Sequence, residues 1–288
     1  MTRPYGFAQN EGNASTSWPG ILATNQYTGE TEPYTGHIPV DDFIADVMVP
    51  QQEILAYDYE TEIMWCDCGA ANGSAAFAAA WFNKFPTATM NSRCGIAQGS
   101  DFDTPEYTTF SSVSPRKWES NQGMDPYSYG YNRATADDAY MNASTVVTSL
   151  VDMVSKNGNL LLDIGPRADG SIVEVEAENL REAGKWIKEH GEAIFNTTYW
   201  FVTPEVGDVR FTQNADAFYV LFLEEPVAGE DVLIEAPLPV LPGDSVTVLG
   251  EGLDVEWEEV DGGVSFTWPA EMEGKGEYCW VVKIGYTA

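Results

Sequence analysis

The sequence predicts an α/β region of parallel strand–helix units over residues 1–199, followed by a small antiparallel β-sandwich over 200–288. Three observations carry this reading. The apolar run Ile63-Met-Trp-Cys66 ends on a charge, Asp67, and is broken by Gly69 and Gly73-Ser74. A second run, Asn159-Leu-Leu-Leu-Asp163-Ile-Gly165, follows an amphipathic helix, so strand and helix alternate. Beyond Thr198 helical periodicity gives way to short alternating runs cut by Gly, Pro and Asp, the pattern of an antiparallel sheet.

Residues 1–40 are rich in Gly, Pro, Asn, Thr and Tyr without a period and read as an extended loop. From Asp41 to about Tyr57 a helix is expected, kinked at Pro50, with Phe43, Val47, Ile54 and Leu55 available for burial. The strand before Asp67 follows, and its apolar run predicts burial on both faces. A helix over Ala75–Phe85 and a strand over Ala88–Arg93 complete a parallel unit. A long loop then leads to a short strand at Arg116–Ser120. Val147, Leu150, Val151 and Val154 form the apolar stripe of a helix over Ser144–Lys156, stopped by Gly158. The strand at Asn159–Gly165 reads as buried, and Leu180, Ala183, Ile187 and Ile194 mark a helix over Glu176–Phe195. Five strands are expected after it, at 217–223, 231–235, 245–249, 263–268 and 278–284.

The 288 residues carry 14 basic and 45 acidic side chains, a formal charge of −31. Such a surface repels nucleic acid and anionic membrane, so neither is an expected partner. No apolar segment is long enough to span a bilayer. The four cysteines, Cys66, Cys68, Cys94 and Cys279, have no zinc-ligand spacing and only two histidines accompany them, so no metal or cofactor is expected. A bridge from Cys66 or Cys68 to Cys94 is one reading of their spacing. Four Asn-X-Ser/Thr sequons, at Asn13, Asn72, Asn142 and Asn196, point to a secreted protein, although the N-terminus has no apolar leader. A start in the middle of a longer protein would reconcile the two.

Asp67, Arg93, Glu106 and Glu119 all fall at or just past the ends of expected parallel strands. Asp67 reads equally as a cap of the following loop and as a carboxylate used in chemistry. Carboxylates converging with an arginine suit glycoside hydrolysis, which needs one ionised carboxylate as nucleophile and one protonated as general acid. Arg93 would keep its neighbour ionised, or simply form a salt bridge with Asp67. Serine hydrolase chemistry is a poor fit, since there is no Gly-X-Ser-X-Gly elbow and neither His37 nor His190 has a suitable partner serine. His190 is expected to favour the end of its helix, and His37 has no role.

Six motifs occur in order: Ile63-Met-Trp-Cys-Asp67, Met90-Asn-Ser-Arg93-Cys-Gly95, Asp103-Thr-Pro-Glu106-Tyr107, Lys117-Trp-Glu119, Tyr129-Gly-Tyr-Asn132 and Val151 through Gly170. The series resembles the α-L-fucosidases of glycoside hydrolase family 29, with wording similar to secreted fungal members. The resemblance implies a retaining exo-glycosidase with a (β/α)8-like barrel and a β-sandwich, acting on fucosylated oligosaccharides or glycoproteins. It places Asp67 at the nucleophile, and Arg93, Trp65 and Tyr129 in the sugar pocket. For the acid/base both Glu106 and Glu119 match positions used in the family, and Glu119 is the choice for a fungal-like sequence; its competing role is an ion pair with Arg116 or Lys117. The early barrel strands and their histidines have no counterpart here. Five or so units cannot close an eight-stranded barrel, so the chain alone is expected to have little activity, and a non-catalytic sugar-binding or structural remnant is the alternative.

Overall fold

The computed structural model describes residues 27–30, 41–42, 44–67, 73–96 and 99–287. The expectations for Phe43, His37, Cys68 and the sequons at Asn13 and Asn72 lie outside these residues. Two compact units divide between Phe102 and Asp103.

In the first unit a helical stretch runs through Ile44–Met48, α1 (Val49–Glu53) and Ile54–Asp58, with wide turns on both sides of α1. Pro50 sits in the first turn of α1, where its missing N–H costs nothing, so it starts a regular turn instead of kinking one. Gln52 and Ala56 are the buried positions, while Ile54 and Leu55, expected inside, are each 46 % exposed. β1 (Ile63–Met64) pairs in parallel with β2 (Thr89–Met90), and α2 (Ser74–Lys84) connects them. Met64, Phe77, Trp81, Met90 and Cys94 share a small core. The two-stranded sheet buries one face only: Met64 points inward and Ile63 is 60 % exposed, against the expectation of burial on both faces.

β3 (Phe102–Asp103), β4 (Lys117–Gly123) and β5 (Gly158–Asp163) form the next sheet, in that order, with β4 and β5 parallel. Between β4 and β5 lies α3 (Ala143–Ser155), whose N-cap is Asn142; its Oδ1 accepts from Thr145 N–H at 2.8 Å. β5 is also one-sided, with Leu161 41 % exposed. α4 (Glu174–His190) follows and continues into a single tight turn, Gly191–Ala193.

The remaining strands are β6 (Thr198–Tyr199), β7 (Glu205–Val206), β8 (Val209–Gln213), β9 (Ala217–Phe222), β10 (Asp231–Ile234), β11 (Ser245–Val248), β12 (Glu256–Val260), β13 (Gly263–Thr267) and β14 (Trp280–Gly285). One antiparallel sheet runs β11-β14-β9-β8-β6, with β7 also on β8, and a second runs β10-β13-β12. Phe211, Phe218, Val220 and Val282 of the first sheet share a core with Ile234, Val264 and Phe266 of the second, so the two sheets sandwich it. Periodicity did not reveal β8 and β12: Val-Arg-Phe-Thr-Gln and Glu-Trp-Glu-Glu-Val put charges among their apolar residues.

β9 explains why the compact units do not divide at residue 200. All six of its residues are buried. Phe218, Val220 and Phe222 enter the sandwich core, while Ala217, Tyr219 and Leu221 pack in a second core with Val147 and Val151 of α3 and Ala183 and Trp186 of α4. The change of grammar at 200 therefore crosses a continuous core. Polar latches reinforce it: Trp186 Nε1–H donates to the Cys279 carbonyl at 2.7 Å, and Arg210 of β8 pairs with Asp152 of α3 at 2.7 Å. His190 is buried and stacked on Trp186, and burial pushes its imidazole below the ordinary value. Its Nδ1 lies 3.0 Å from the Trp186 carbonyl, so the ring meets the last turn of its helix by a hydrogen bond while it packs in the core.

Gly263 marks where the second sheet tolerates no side chain. A Cβ there would fall inside the van der Waals shell of the Ile234 carbonyl oxygen, a backbone atom held in the β10–β13 ladder. Gly263→Ala is expected to destabilise the protein by roughly 2 kcal/mol, read as a lowered denaturant midpoint.

Candidate active site

In the first unit, the chain leaving β1 and the chain leaving β2 are fastened together side by side. The Cys66 N–H donates to Asn91 Oδ1 and Asn91 Nδ2–H donates to the Cys66 carbonyl, both at 3.0 Å. Asn91 is fully buried, where an amide is stable only with such partners. A disulfide joins Cys66 to Cys94 across the same point, so the Cys66 option is the pairing found. Because β1 and β2 are parallel, this clamp projects the next residues, Asp67 and Arg93, from the same end of the sheet. Arg93 Nη1 lies 3.2 Å from Asp67 Oδ1, and its guanidinium sits 5.3 Å from the Trp65 ring centroid. Trp65, Asp67 and Arg93 are thus one constellation. The Asp67 side chain is 68 % exposed, so the ion pair adds little to stability, and the carboxylate is presented to solvent.

In the second unit, β4 sets the two glutamates at different points along the sheet. The strand extends to Gly123, beyond the expected end at Ser120, so Glu119 lies within it near its start. Glu119 stands opposite Asn159 of β5, and Asn159 Nδ2–H donates to its Oε2 at 2.8 Å. Arg116 pairs with Asp103 at 3.1 Å. Glu106 bridges in parallel to Asn121, two residues further along β4, or about 7 Å toward its C-terminal end. Tyr107 N–H donates to the Asn121 carbonyl at 2.9 Å, and Asn121 N–H donates to the Pro105 carbonyl at 3.0 Å.

Tyr107 is a residue that periodicity could not find. Its backbone is left-handed, φ 46°, an uncommon state for an aromatic residue. The Asn121 bond holds its main chain, and its hydroxyl donates to the Asp125 carbonyl at 3.3 Å. Its ring lies 5.0 Å from that of Tyr129, whose hydroxyl donates to the Asn121 carbonyl at 3.1 Å. A Cβ on Gly123 would come within 2.7 Å of the Tyr107 hydroxyl, so glycine there keeps the Tyr107 seat open. Glu106, Tyr107 and Tyr129 therefore cluster toward the C-terminal end of β4, and Glu119 does not join them.

Three buried or half-buried acids back this cluster: Asp125, Asp163 and Glu176. Asp125 is satisfied, accepting from Tyr127 N–H at 2.8 Å and the Thr135 hydroxyl at 2.6 Å. Burial pushes the Asp163 and Glu176 carboxyls up from their ordinary values, with further repulsion on Glu176 from Asp125 and Asp163. Asp163 ends an apolar run as Asp67 does, so the signal that singled out Asp67 was present here too. For Glu176 the folded value exceeds the unfolded one, so the folded state holds the proton more tightly. The stability this provides is complete below the unfolded carboxylate range and lost as pH rises through the raised value. Glu176→Gln is accordingly expected to raise Tm near pH 8 and to have less effect at about pH 4, measured by calorimetry across that range.

Comparison with known proteins gives the family. A family model for alpha-L-fucosidase matches residues 13–192. The chain belongs to the alpha-L-fucosidase family. Among its relatives, the plasma alpha-L-fucosidase of Pongo abelii is 34 % identical over 230 residues, covering 73 % of this chain and 48 % of that protein. The tissue alpha-L-fucosidase of Homo sapiens is 28 % identical over 259 residues, covering 84 % and 55 %. The crystal structure of Thermotoga maritima alpha-fucosidase in complex with a mechanism based inhibitor superposes with a TM-score of 0.72 at 28 % identity, covering 90 % of this chain and 62 % of that one. The chain spans about half the length of the curated relatives it matches.

Proposed function

We propose that this chain carries the catalytic carboxylates of a retaining exo-α-L-fucosidase acting on fucosylated oligosaccharides or glycoproteins. The observation that carries this reading is the Asp67–Arg93 pair, locked beside Trp65 by the Cys66–Cys94 bridge and the Asn91 amide. Asp67 attacks the anomeric carbon as the bond from that carbon to the leaving oxygen breaks. Glu106 donates its proton to that oxygen. The Glu106 carboxylate then takes a proton from water as the water oxygen displaces Asp67 from the sugar. Arg93 orients Asp67, and Trp65 and Tyr129 offer ring faces to the sugar. Glu106 is preferred to Glu119 because it lies toward the strand's C-terminal end beside Tyr107 and Tyr129, while Glu119 is held by Asn159. β1 to β5 would then be part of a (β/α)8-like barrel, with 200–288 the accessory β-sandwich. Covalent trapping of fucose on Asp67 tests the reading. Failure to trap would leave the non-catalytic remnant as the better account.

We further infer that the protein is secreted and of the fungal type. A disulfide forms and persists in an oxidising compartment, and Asn142 and Asn196 are both exposed. Expression through a eukaryotic secretory pathway is expected to glycosylate both. Enzymatic deglycosylation followed by peptide mass spectrometry checks this; unmodified Asn142 and Asn196 peptides would count against it.

A further inference from the structure

The loop after β4 presents more aromatic surface to solvent than its own fold requires. In that loop Tyr127 is 75 % and Tyr131 39 % exposed, and Tyr107, which precedes β4, is 45 % exposed. One exposed tyrosine needs no explanation, but three in one neighbourhood mark a contact surface. The loop is not loose. Met124 N–H donates to the Asp163 carbonyl at 3.0 Å and Met141 N–H to the Met124 carbonyl at 2.8 Å. The Asp125 carboxylate ties Tyr127 N–H to the Thr135 hydroxyl. The backbone of Gly130 and Tyr131 rests so closely on Gly165 that a Cβ there would come within 2.6 Å of Tyr131 N. The Arg167 guanidinium lies over the Tyr131 ring, 5.6 Å from its centroid, and its Nη1 donates to the Ile172 carbonyl at 3.3 Å.

We propose that Tyr127 and Tyr131, with Arg167 over the Tyr131 ring, form a subsite for a pyranose of the glycan to which fucose is attached. This rests on the assignment of Glu106 as the acid. A glycan whose linking oxygen is protonated by Glu106 continues outward from that carboxyl. Tyr107 follows Glu106 directly, stacks with Tyr129, and so connects the acid to the tyrosine loop without a break. Flat, preorganised rings with few rotatable bonds are suited to the apolar face of a pyranose, and fixing them beforehand lowers the ordering cost of binding. Arg167 supplies hydrogen-bond donors for hydroxyls, which the many carboxylates of this surface cannot do.

The test is a titration of the whole chain with lactose, a fucose-free disaccharide, followed by saturation-transfer NMR and calorimetry. Lactose is expected to bind, and Tyr127→Ala and Tyr131→Ala are each expected to weaken it about five-fold. Tyr131→Phe, which keeps the ring, is expected to stay within about two-fold, and near-UV circular dichroism verifies that each variant is folded. Lactose affinity indifferent to both alanine substitutions, or no lactose binding by the parent, overturns the subsite. Trapping at Asp67 separates this from the catalytic reading. Tyrosine-dependent lactose binding without trapping leaves a sugar site but overturns its role beside a fucosidase acid; trapping with tyrosine-independent binding overturns the subsite and keeps the catalytic reading.

Discussion

Incubation with 2-fluoro-fucosyl fluoride is expected to add one fluorofucosyl mass to the peptide containing Asp67, and Asp67→Asn is expected to abolish the label. The reagent suits the question for two physical reasons. Fluoride departs without needing a proton, so formation of the adduct tests the nucleophile independently of the acid. A single event per molecule suffices, so slow turnover by a chain about half the length of its curated relatives is no obstacle. Arg93→Ala is expected to slow labelling by ten-fold or more, because the carboxylate loses its orienting partner 3.2 Å away. Glu106→Gln is expected to label at a rate near that of the parent but to release the sugar about a hundred-fold more slowly, since nothing then activates water. Added azide, a nucleophile needing no base, restores release in that variant. Glu119→Gln is expected to behave as the parent in both steps. Slow, azide-rescued release in Glu119→Gln with normal release in Glu106→Gln would reverse the assignment of the acid.

Much of this site is legible in the sequence, for reasons visible in the fold. A charge that ends an apolar run must leave the sheet, and parallel neighbours put such charges at the same end. Asp67 and Arg93 are found together on that logic alone. The end of β4 is not legible because Ser-Asn-Gln-Gly carries no apolar signal, yet it continues the strand as far as Gly123. Three added residues move Glu119 from a strand end into a strand. Tyr107 escaped because a left-handed backbone at an aromatic residue has no local signature; it exists only through bonds to Asn121 and Asp125. The domain division shows the same limit. Local pattern changes at residue 200, but β9 alternates between two cores and binds the regions on either side. Limited proteolysis is accordingly expected to yield fragments that keep α3 and α4 with the β-strands, and no lasting C-terminal piece of about 90 residues.

Loss of the Cys66–Cys94 bridge is expected to cost about 3.5 kcal/mol, and the loss falls on the part of the protein that holds Asp67. The bond closes a loop with a sequence separation of 28, and releasing it returns that freedom to the unfolded chain. Among the described residues, the core of the first unit is built on Met64, Phe77, Trp81 and Met90, with Tyr57, Phe82 and Phe85 packed against it, while the second unit buries two larger cores joined through β9. The Asn91 amide still joins the two strand ends in a Cys66→Ser/Cys94→Ser variant, because its partners at residue 66 are backbone atoms. Hydrogen bonds of this kind contribute about 1 kcal/mol each, less than the bridge removes. Hydrogen exchange in 63–67 and 89–94 is therefore expected to quicken, and labelling of Asp67 to fall in step. The second unit is expected to keep its protection. Cys279→Ala is the control: that thiol is buried against Trp186 and β14, and its loss leaves the Asp67 clamp intact. Reductant added to the parent reproduces the double variant if the bridge is what matters. Unchanged exchange around Asp67 after complete reduction would mean that packing alone, with Asn91, positions the carboxylate.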